Sequence, residues 1–218
     1  MPLRRAASIA VLLLSLTVGA SVAGAEEEPA DCGGVPATIV GDEDGDGVIT
    51  GTDGHDVIVG TAGPDRIESF GGKDRICSLG GDDVIFSGAG NDVVYAGAGD
   101  DAVSSGGGRD RLIGGNGEDT LRGGVMDDVL RGGEGDDFLQ GFDGDDLLEG
   151  GPGRDELRGG YGEDTLEGED GNDELHGQAD SDILRGGPGT DRIWGKKGDD
   201  ILEGGEHADR IWAGGGLN

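Results

Sequence analysis

The residues with the clearest chemical potential are aspartates that recur every nine positions between Gly51 and Trp212. This stretch divides into eighteen nine-residue units without insertion or deletion, and the sixth position of every unit is Asp. Ordinary turns vary among Asp, Asn and Ser, so an unvarying Asp indicates a ligand rather than a merely solvated turn. The candidate metal ligands are Asp56, Asp65, Asp74, Asp83, Asp92, Asp101, Asp110, Asp119, Asp128, Asp137, Asp146, Asp155, Asp164, Asp173, Asp182, Asp191, Asp200 and Asp209.

Glycine and an aliphatic residue accompany each of these aspartates. Position eight is Ile, Leu or Val in all eighteen units, and position four is Gly in fifteen, with Met126, Asp180 and His207 as the exceptions. Glycine permits positive φ angles and close backbone approach, while strand alternation turns position eight inward and positions seven and nine outward. Such a short unit is stable as one rung of a stacked repeat, not as an isolated strand.

The unit GGNGEDTLR at residues 114–122 resembles the nonapeptide of the RTX (repeats-in-toxin, haemolysin-type) calcium-binding proteins. The resemblance covers about three quarters of the chain. It implies an all-β fold, a parallel β-roll or β-solenoid in which the glycine-rich half of each unit forms a turn and the rest a short strand. Two units form one coil in that fold, so the resemblance implies about nine 18-residue coils.

Stacked coils would place the aspartates in two columns. Neighbouring strands lie about 4.8 Å apart, and carboxylates at that distance repel by roughly 3 kcal/mol at an effective dielectric constant near 20. Calcium suits such columns because it takes six to eight oxygen ligands. Eight gaps on two sides predict up to about sixteen Ca²⁺ ions between coils.

The composition supports folding that depends on a cation. The 218 residues include 47 acidic and 16 basic side chains, which gives a net charge of −31. This charge disfavours nucleic acid and anionic membranes as partners. Hydrophobic residues make up 33% and aromatic residues 4% of the chain, so the metal-free chain is expected to remain unfolded.

The N-terminal residues 1–25 are predicted to be a secretory signal peptide, with Arg4 and Arg5 before an apolar stretch and a small-residue cleavage site before Glu26. The apolar stretch is short for a membrane span, so the mature chain is expected to be secreted. An N-terminal signal differs from the C-terminal export signal that the resemblance implies. The predicted divisions are this signal, an N-terminal cap at 26–50, the roll at 51–212 and a partial repeat at 213–218.

The cap contains two further features. Residues 37–41 echo residues 56–60 and are predicted to form a degenerate first rung, 19 residues before the next one. Residues 42–50, between these two segments, are predicted to be an insertion that is out of phase with the nine-residue repeat. There Asp42, Asp44 and Asp46 match the start of an EF-hand-type calcium loop, with Asp53 at position twelve in place of Glu. The hypothesis is one additional calcium site, and the alternative is an acidic surface repeat.

Cys32 and Cys77 are the only two cysteines. Two cysteines in an exported protein usually pair, so a disulfide is expected to tie the cap to the third unit. Free thiols and an intermolecular bridge are the alternatives.

No motif for nucleophilic, metalloprotease or phosphate-binding chemistry occurs in the sequence, so the chain is predicted not to be an enzyme. The predicted function is that of an exported protein that folds on binding several Ca²⁺ ions and has a structural or interaction role. The alternatives are a non-catalytic relative or accessory of a secreted RTX cytolysin or hydrolase, and a calcium-dependent adhesin. The sequence identifies no protein or glycan partner. Weak end-to-end self-association is expected, because unpaired strand edges attract further strands.

Overall fold

The computed structural model describes residues 32–41 and 48–216, and these residues contain strands and turns only. Every strand pairing is parallel. The strands are β1 (Ile39–Val40), β2 (Val48–Thr52), β3 (Val57–Val59), β4 (Arg66–Gly72), β5 (Arg75–Cys77), β6 (Val84–Phe86), β7 (Ala89–Gly90), β8 (Val93–Ala98), β9 (Ala102–Gly107), β10 (Arg111–Asn116), β11 (Thr120–Val125), β12 (Val129–Glu134), β13 (Phe138–Asp143), β14 (Leu147–Glu149), β15 (Glu156–Tyr161), β16 (Thr165–Glu167), β17 (Glu174–Ala179), β18 (Ile183–Pro188), β19 (Arg192–Lys197), β20 (Ile201–Glu206) and β21 (Arg210–Gly215).

Successive strands alternate between two sheets, except that β6 and β7 lie in the same one, so the chain winds as a solenoid. One sheet has ten strands in the order β1-β3-β5-β8-β10-β12-β14-β16-β18-β20, and the other has eleven, from β2 to β21. Neighbours in a sheet are offset by 18 residues, as in the pairing of Leu112 with Leu130. The predicted β-solenoid is confirmed, with about ten turns of roughly 18 residues.

The core is a double file of position-eight aliphatic residues. Leu112, Leu121 and Leu130 are fully buried, and the same cluster runs from Ile49 to Ile193. In β10 the two neighbours of Leu112 in the strand are more exposed than it is, which confirms the inward direction of position eight.

Many strands are longer than the sequence predicts. Strand β10 continues from positions seven to nine of one unit through positions one to three of the next, where Gly115 pairs in register with Gly133. Glycine allows this extension, because the backbones approach so closely here that a Cβ at Gly115 would collide with the carbonyl oxygen of Gly97. The tight turn is therefore confined to about three residues in these units.

The first turn of the solenoid lies in the predicted cap. Ile39 pairs with Ile58, which confirms a first rung 19 residues ahead. Ile49 pairs with Ile67 in the ordinary 18-residue register and is buried. Residues 48–50 are thus in phase, contrary to the predicted insertion, and the extra residue falls between Val40 and Val48.

The expected disulfide joins Cys32 to Cys77, with 5.6 Å between the Cα atoms. Its sulfur atoms lie in a small second cluster with Val59. Arg75 strengthens the same junction, because its Nε donates to the carbonyl oxygen of Cys32 at 2.7 Å. The first turns are therefore held by a covalent bond and by packing.

The three exceptions to Gly at position four keep the glycine-like backbone. Met126, Asp180 and His207 have φ angles of 76°, 72° and 80°. A non-glycine residue in this region costs on the order of 1 kcal/mol.

Candidate metal-binding turns

The position-six aspartates form the two predicted columns, one along each edge of the solenoid. Their side chains do not point into solvent, since every one from Asp74 to Asp200 is at most 4% exposed. In each column the backbone N–H of one Asp donates to the Oδ1 of the Asp one coil later. Asp110 donates to Asp128 at 2.8 Å, for example, and Asp128 donates to Asp146 at 2.8 Å.

This link recurs sixteen times, from Asp56 donating to Asp74 up to Asp191 donating to Asp209. The backbone carbonyl of each bridging Asp is also used, as when Val129 N–H donates to the oxygen of Asp110. The aspartate is therefore fixed at three points by the coils on either side.

The second carboxylate oxygen of these aspartates lacks such a contact. Fourteen Oδ2 atoms, one from each position-six Asp between Asp74 and Asp191, are buried and accept no hydrogen bond from the described residues. From Asp119 to Asp191 each lies over the first glycine of its own unit, so that a Cβ at Gly114 would collide with Oδ2 of Asp119. In the five earlier units position one is Ser or Ala, and the serine hydroxyls oppose the rise in pKa that burial causes at the aspartate of their unit, as Ser78 does for Asp83. Buried acceptors are normally satisfied, so a repeated orphan oxygen fits a cation that takes oxygen ligands.

The first two aspartates of the columns differ from the rest. Oδ2 of Asp56 accepts the N–H of Thr52 at 2.7 Å, and Oδ2 of Asp65 accepts the N–H of Thr61 at 2.7 Å. In both units position two is Thr where most units have Gly. Their carboxylates are satisfied by the protein itself, so the fit to a cation is better from Asp74 onward.

Burial raises the pKa of the ladder carboxyls. The pKa of Asp128 and of Asp164 rises to about 8, chiefly through desolvation; hydrogen bonds from the backbone of Asp110 and Asp146 oppose this, and neighbouring carboxylates add to it. The pKa rises to about 7 for Asp101, Asp119, Asp155, Asp173 and Asp182, and to about 6 for Asp83, Asp92, Asp137 and Asp146. The turns therefore favour a bound positive charge, either a proton or a metal ion.

A second ladder at position five was not predicted from the sequence. Its hydrogen bonds run in the opposite direction, because the side chain accepts from the backbone of the following coil. Oδ1 of Asp100 accepts from Glu118 N–H at 2.9 Å, and Oδ1 of Asn172 accepts from Thr190 N–H at 2.9 Å. The preference for Asp and Asn at position five is the signal in the sequence that indicates this ladder.

Four serines at position one also have a definite role. Ser69, Ser78, Ser87 and Ser105 are fully buried, and each hydroxyl donates to a backbone carbonyl one coil later, as from Ser78 to Ala96 at 2.5 Å. They tie the early coils together beneath the aspartates.

Asp42, Asp44 and Asp46 lie outside the described residues, so the hypothetical loop site stays a prediction. Asp53, its proposed fourth ligand, is exposed at the turn after β2.

A cluster of Glu156, Glu174 and His176 lies on the outer face of the eleven-stranded sheet, with potential ligand atoms within 4.8 Å of one another. These side chains already have partners: Arg158 binds Glu156, and the Nε2 atom of His176 lies 2.8 Å from Glu174. A file of outward charges also lies on the ten-stranded sheet, where Arg185 bridges Glu167 at 2.8 Å and Glu203 at 3.2 Å. The Arg185 pairs therefore link neighbouring coils, whereas Arg158–Glu156 and His176–Glu174 each join two residues of one strand.

Within the described parts of the chain there is no helix of the length and hydropathy that a membrane span requires.

Comparison with known proteins agrees with this geometry. The family described as the RTX calcium-binding nonapeptide repeat matches residues 50–85, 78–112, 99–125, 122–157, 149–184, 158–193 and 185–218. A comparison with curated proteins gives no match. Since the matched segments together cover residues 50–218, which is nearly all of the solenoid, the chain belongs to the RTX calcium-binding nonapeptide repeat family and is a calcium-binding structural repeat protein.

Proposed function

We propose that this is an exported protein whose solenoid folds as it binds a row of Ca²⁺ ions along each edge, and that the folded roll has a structural or interaction role, not a catalytic one. The observation that carries the proposal is the series of fourteen buried Oδ2 atoms without a hydrogen bond from the described residues. Buried charge without a partner is strongly unfavourable. Calcium bound beside these oxygens supplies the missing positive charge.

The proposed ligands are the position-six aspartates, with the turn backbone as the second source of oxygen. Sixteen Asp-to-Asp links between coils match the proposed upper limit of about sixteen inter-coil ions. Because Oδ2 of Asp56 and of Asp65 already accepts a backbone N–H, we propose that the gaps nearest the N-terminus bind calcium more weakly. The additional site at Asp42, Asp44, Asp46 and Asp53 is retained as part of the proposal.

Calcium is expected to convert the chain cooperatively from an unfolded to a β-rich state, because neighbouring coils share the proposed ions and each coil contacts only its neighbours. Far-UV circular dichroism of residues 26–218 during a calcium titration measures this transition. Magnesium is the matched control, and it should substitute poorly because it requires strict octahedral geometry and retains its water. Full β signal in excess chelator at neutral pH, unchanged by calcium, would contradict the proposal.

The proposed export explains why folding would depend on calcium. We propose that the chain stays unfolded where calcium is scarce and folds where calcium is abundant, after removal of residues 1–25. Those residues lie outside the described part of the chain, and the support comes from the sequence pattern and from the Cys32–Cys77 disulfide, which suits an oxidising compartment. Sequencing the N-terminus of the secreted protein tests the expected cleavage before Glu26.

We also propose weak end-to-end association of folded rolls. Among the described strands β21 pairs only with β19, and its Ile211 is 45% exposed although the same position is buried in the central coils. An open strand edge is a template for another strand. Sedimentation velocity should show a larger species as protein concentration rises in calcium and a single monomer in chelator. A strictly monomeric protein at high concentration in calcium would exclude the association.

A further inference from the structure

The outer face of the last two strands of the eleven-stranded sheet has a charge opposite to the rest of the protein. Strands β19 and β21 read RIWGKK and RIWAGG and contain no acidic residue. The whole chain has 47 acidic and only 16 basic side chains, and four of those sixteen lie in these two strands: Arg192, Lys196, Lys197 and Arg210. A local excess of positive charge on a strongly acidic chain indicates an anionic partner.

The arrangement of the cations is unfavourable without such a partner. Arg192 and Arg210 occupy the same register position on adjacent strands, and like charges directly opposite each other destabilise a sheet. Within the described part of the chain the one ion pair of Arg192 is a distant one, to Glu174 at 4.0 Å, and Arg210 forms none. By contrast, Arg131, Arg158 and Arg185 on earlier coils are each paired with a Glu.

An aromatic column runs beside these cations. Trp194 stacks on Trp212 with ring centroids 4.6 Å apart and an interplanar angle of 4°, and His176 stacks on the other side of Trp194 at 4.5 Å. Trp212 is 44% exposed. Its indole face away from Trp194 meets no aromatic ring of the described residues, so the column ends in an open aromatic surface.

We propose that this face, formed by Arg192, Trp194, Lys196, Arg210 and Trp212, binds an acidic polysaccharide. Guanidinium groups bind carboxylates and sulfates with paired hydrogen bonds, and the apolar side of a sugar ring packs on an exposed indole. A glycan is favoured over nucleic acid because the two strands carry only four cations, too few to match the phosphates of a duplex, which has one negative charge per about 1.7 Å. The proposal goes beyond calcium binding and depends on it only because the face exists in the folded roll.

Binding should be measured by surface plasmon resonance or biolayer interferometry on the full chain in millimolar calcium, after circular dichroism has shown that each variant is folded. Dextran sulfate and hyaluronan distinguish the sulfated from the carboxylated source of negative charge, and unmodified dextran is the neutral control. At least one of the two acidic polymers should bind, and dextran should not. The double variant Arg192→Gln/Arg210→Gln should weaken binding about tenfold or more, because each substitution removes charge-assisted hydrogen bonds to the polymer.

The matched control is Arg109→Gln/Arg154→Gln. These two arginines are exposed and lie on turns where they pair with Asp127 and Asp136, so the control changes the net charge equally but leaves the proposed face intact. Its affinity should stay within about twofold of the parent, because a distant exposed charge contributes little. Trp212→Leu should weaken binding about three- to tenfold through loss of stacking.

Three results would overturn the proposal: no binding of either acidic polymer to a folded roll, equal weakening by both double variants, or preferential binding of a single-stranded oligonucleotide at the same face. If calcium failed to fold the chain, circular dichroism would show it before any polymer was added. A failure of the calcium proposal is thereby distinguished from a failure of the glycan proposal.

Discussion

Acid is expected to fold the metal-free roll. In excess chelator the chain should be unfolded at pH 9, gain β signal as the pH falls through about 8 to about 6, and be most stable near pH 4. The direction follows from the ladder carboxyls, whose pKa in the folded state is raised by burial from 3.8 to between about 6 and about 8. A folded state that binds protons more tightly than the unfolded state gains stability as the pH falls.

The expected effect is large because many carboxyls act in the same direction. Eleven of them have a pKa raised to about 6 or above, and a difference of one in pKa corresponds to about 1.4 kcal/mol. A whole domain is stable by only about 5–15 kcal/mol. Proton binding can therefore decide whether the metal-free chain folds.

Circular dichroism during a pH titration in chelator measures this effect, and the same titration in millimolar calcium is the control. With calcium present the β signal should persist at neutral and alkaline pH, since the proposed ion replaces the proton at each Oδ2. A metal-free roll that is most stable at pH 9 and unfolds on acidification would contradict the burial of charged carboxyls in both columns.

Most of the fold could be predicted because nine-residue periodicity leaves few alternatives. Eighteen Asp and eighteen aliphatic residues in phase determine which residues stack, and the observed register of 18 residues follows from that spacing. The disulfide was predictable for a different reason, since Cys32 and Cys77 have no other cysteine to pair with.

Other features required the three-dimensional structure. The phase of Ile49 was missed because no Asp precedes it at position six, where Gly47 stands, so the strand lacked the signal that marks every later unit. The different hydrogen bonding of the two oxygens of each carboxylate was also not predictable. One oxygen accepts a backbone N–H from the preceding coil, whereas the other accepts no hydrogen bond from the described residues. That distinction depends on which backbone groups the close packing of glycines brings near each oxygen.

Replacing Asp128 is expected to raise the calcium concentration needed for folding more than replacing Asp209. Asp128 lies between two coils, because its Oδ1 accepts from Asp110 and its N–H donates to Asp146, each at 2.8 Å. Asp209 accepts from Asp191 at 3.0 Å and is only partly buried. Asp128→Ala removes a proposed ligand and leaves the N–H of Asp110 without its acceptor, which alone costs about 1–3 kcal/mol.

Asp128→Asn separates the hydrogen bond from the charge, because the amide oxygen can still accept from Asp110. Its calcium midpoint should lie between those of the parent and of Asp128→Ala, and both Asp209→Asn and Asp209→Ala should lie close to the parent. Calcium titrations followed by circular dichroism give the midpoints. Equal shifts for the central and terminal variants would contradict the stacked columns.

The sign of the Asp128→Asn effect should reverse when calcium is removed. In calcium the variant lacks one negative charge opposite the proposed ion, so it is less stable than the parent. In chelator the parent must protonate or bury the Asp128 carboxylate, whose pKa is raised to about 8, whereas the neutral amide avoids that cost. Chemical denaturation in chelator at pH 6 should therefore show that metal-free Asp128→Asn is more stable than the metal-free parent. If the variant were less stable than the parent both in calcium and in chelator, Asp128 would act only through its hydrogen bonds.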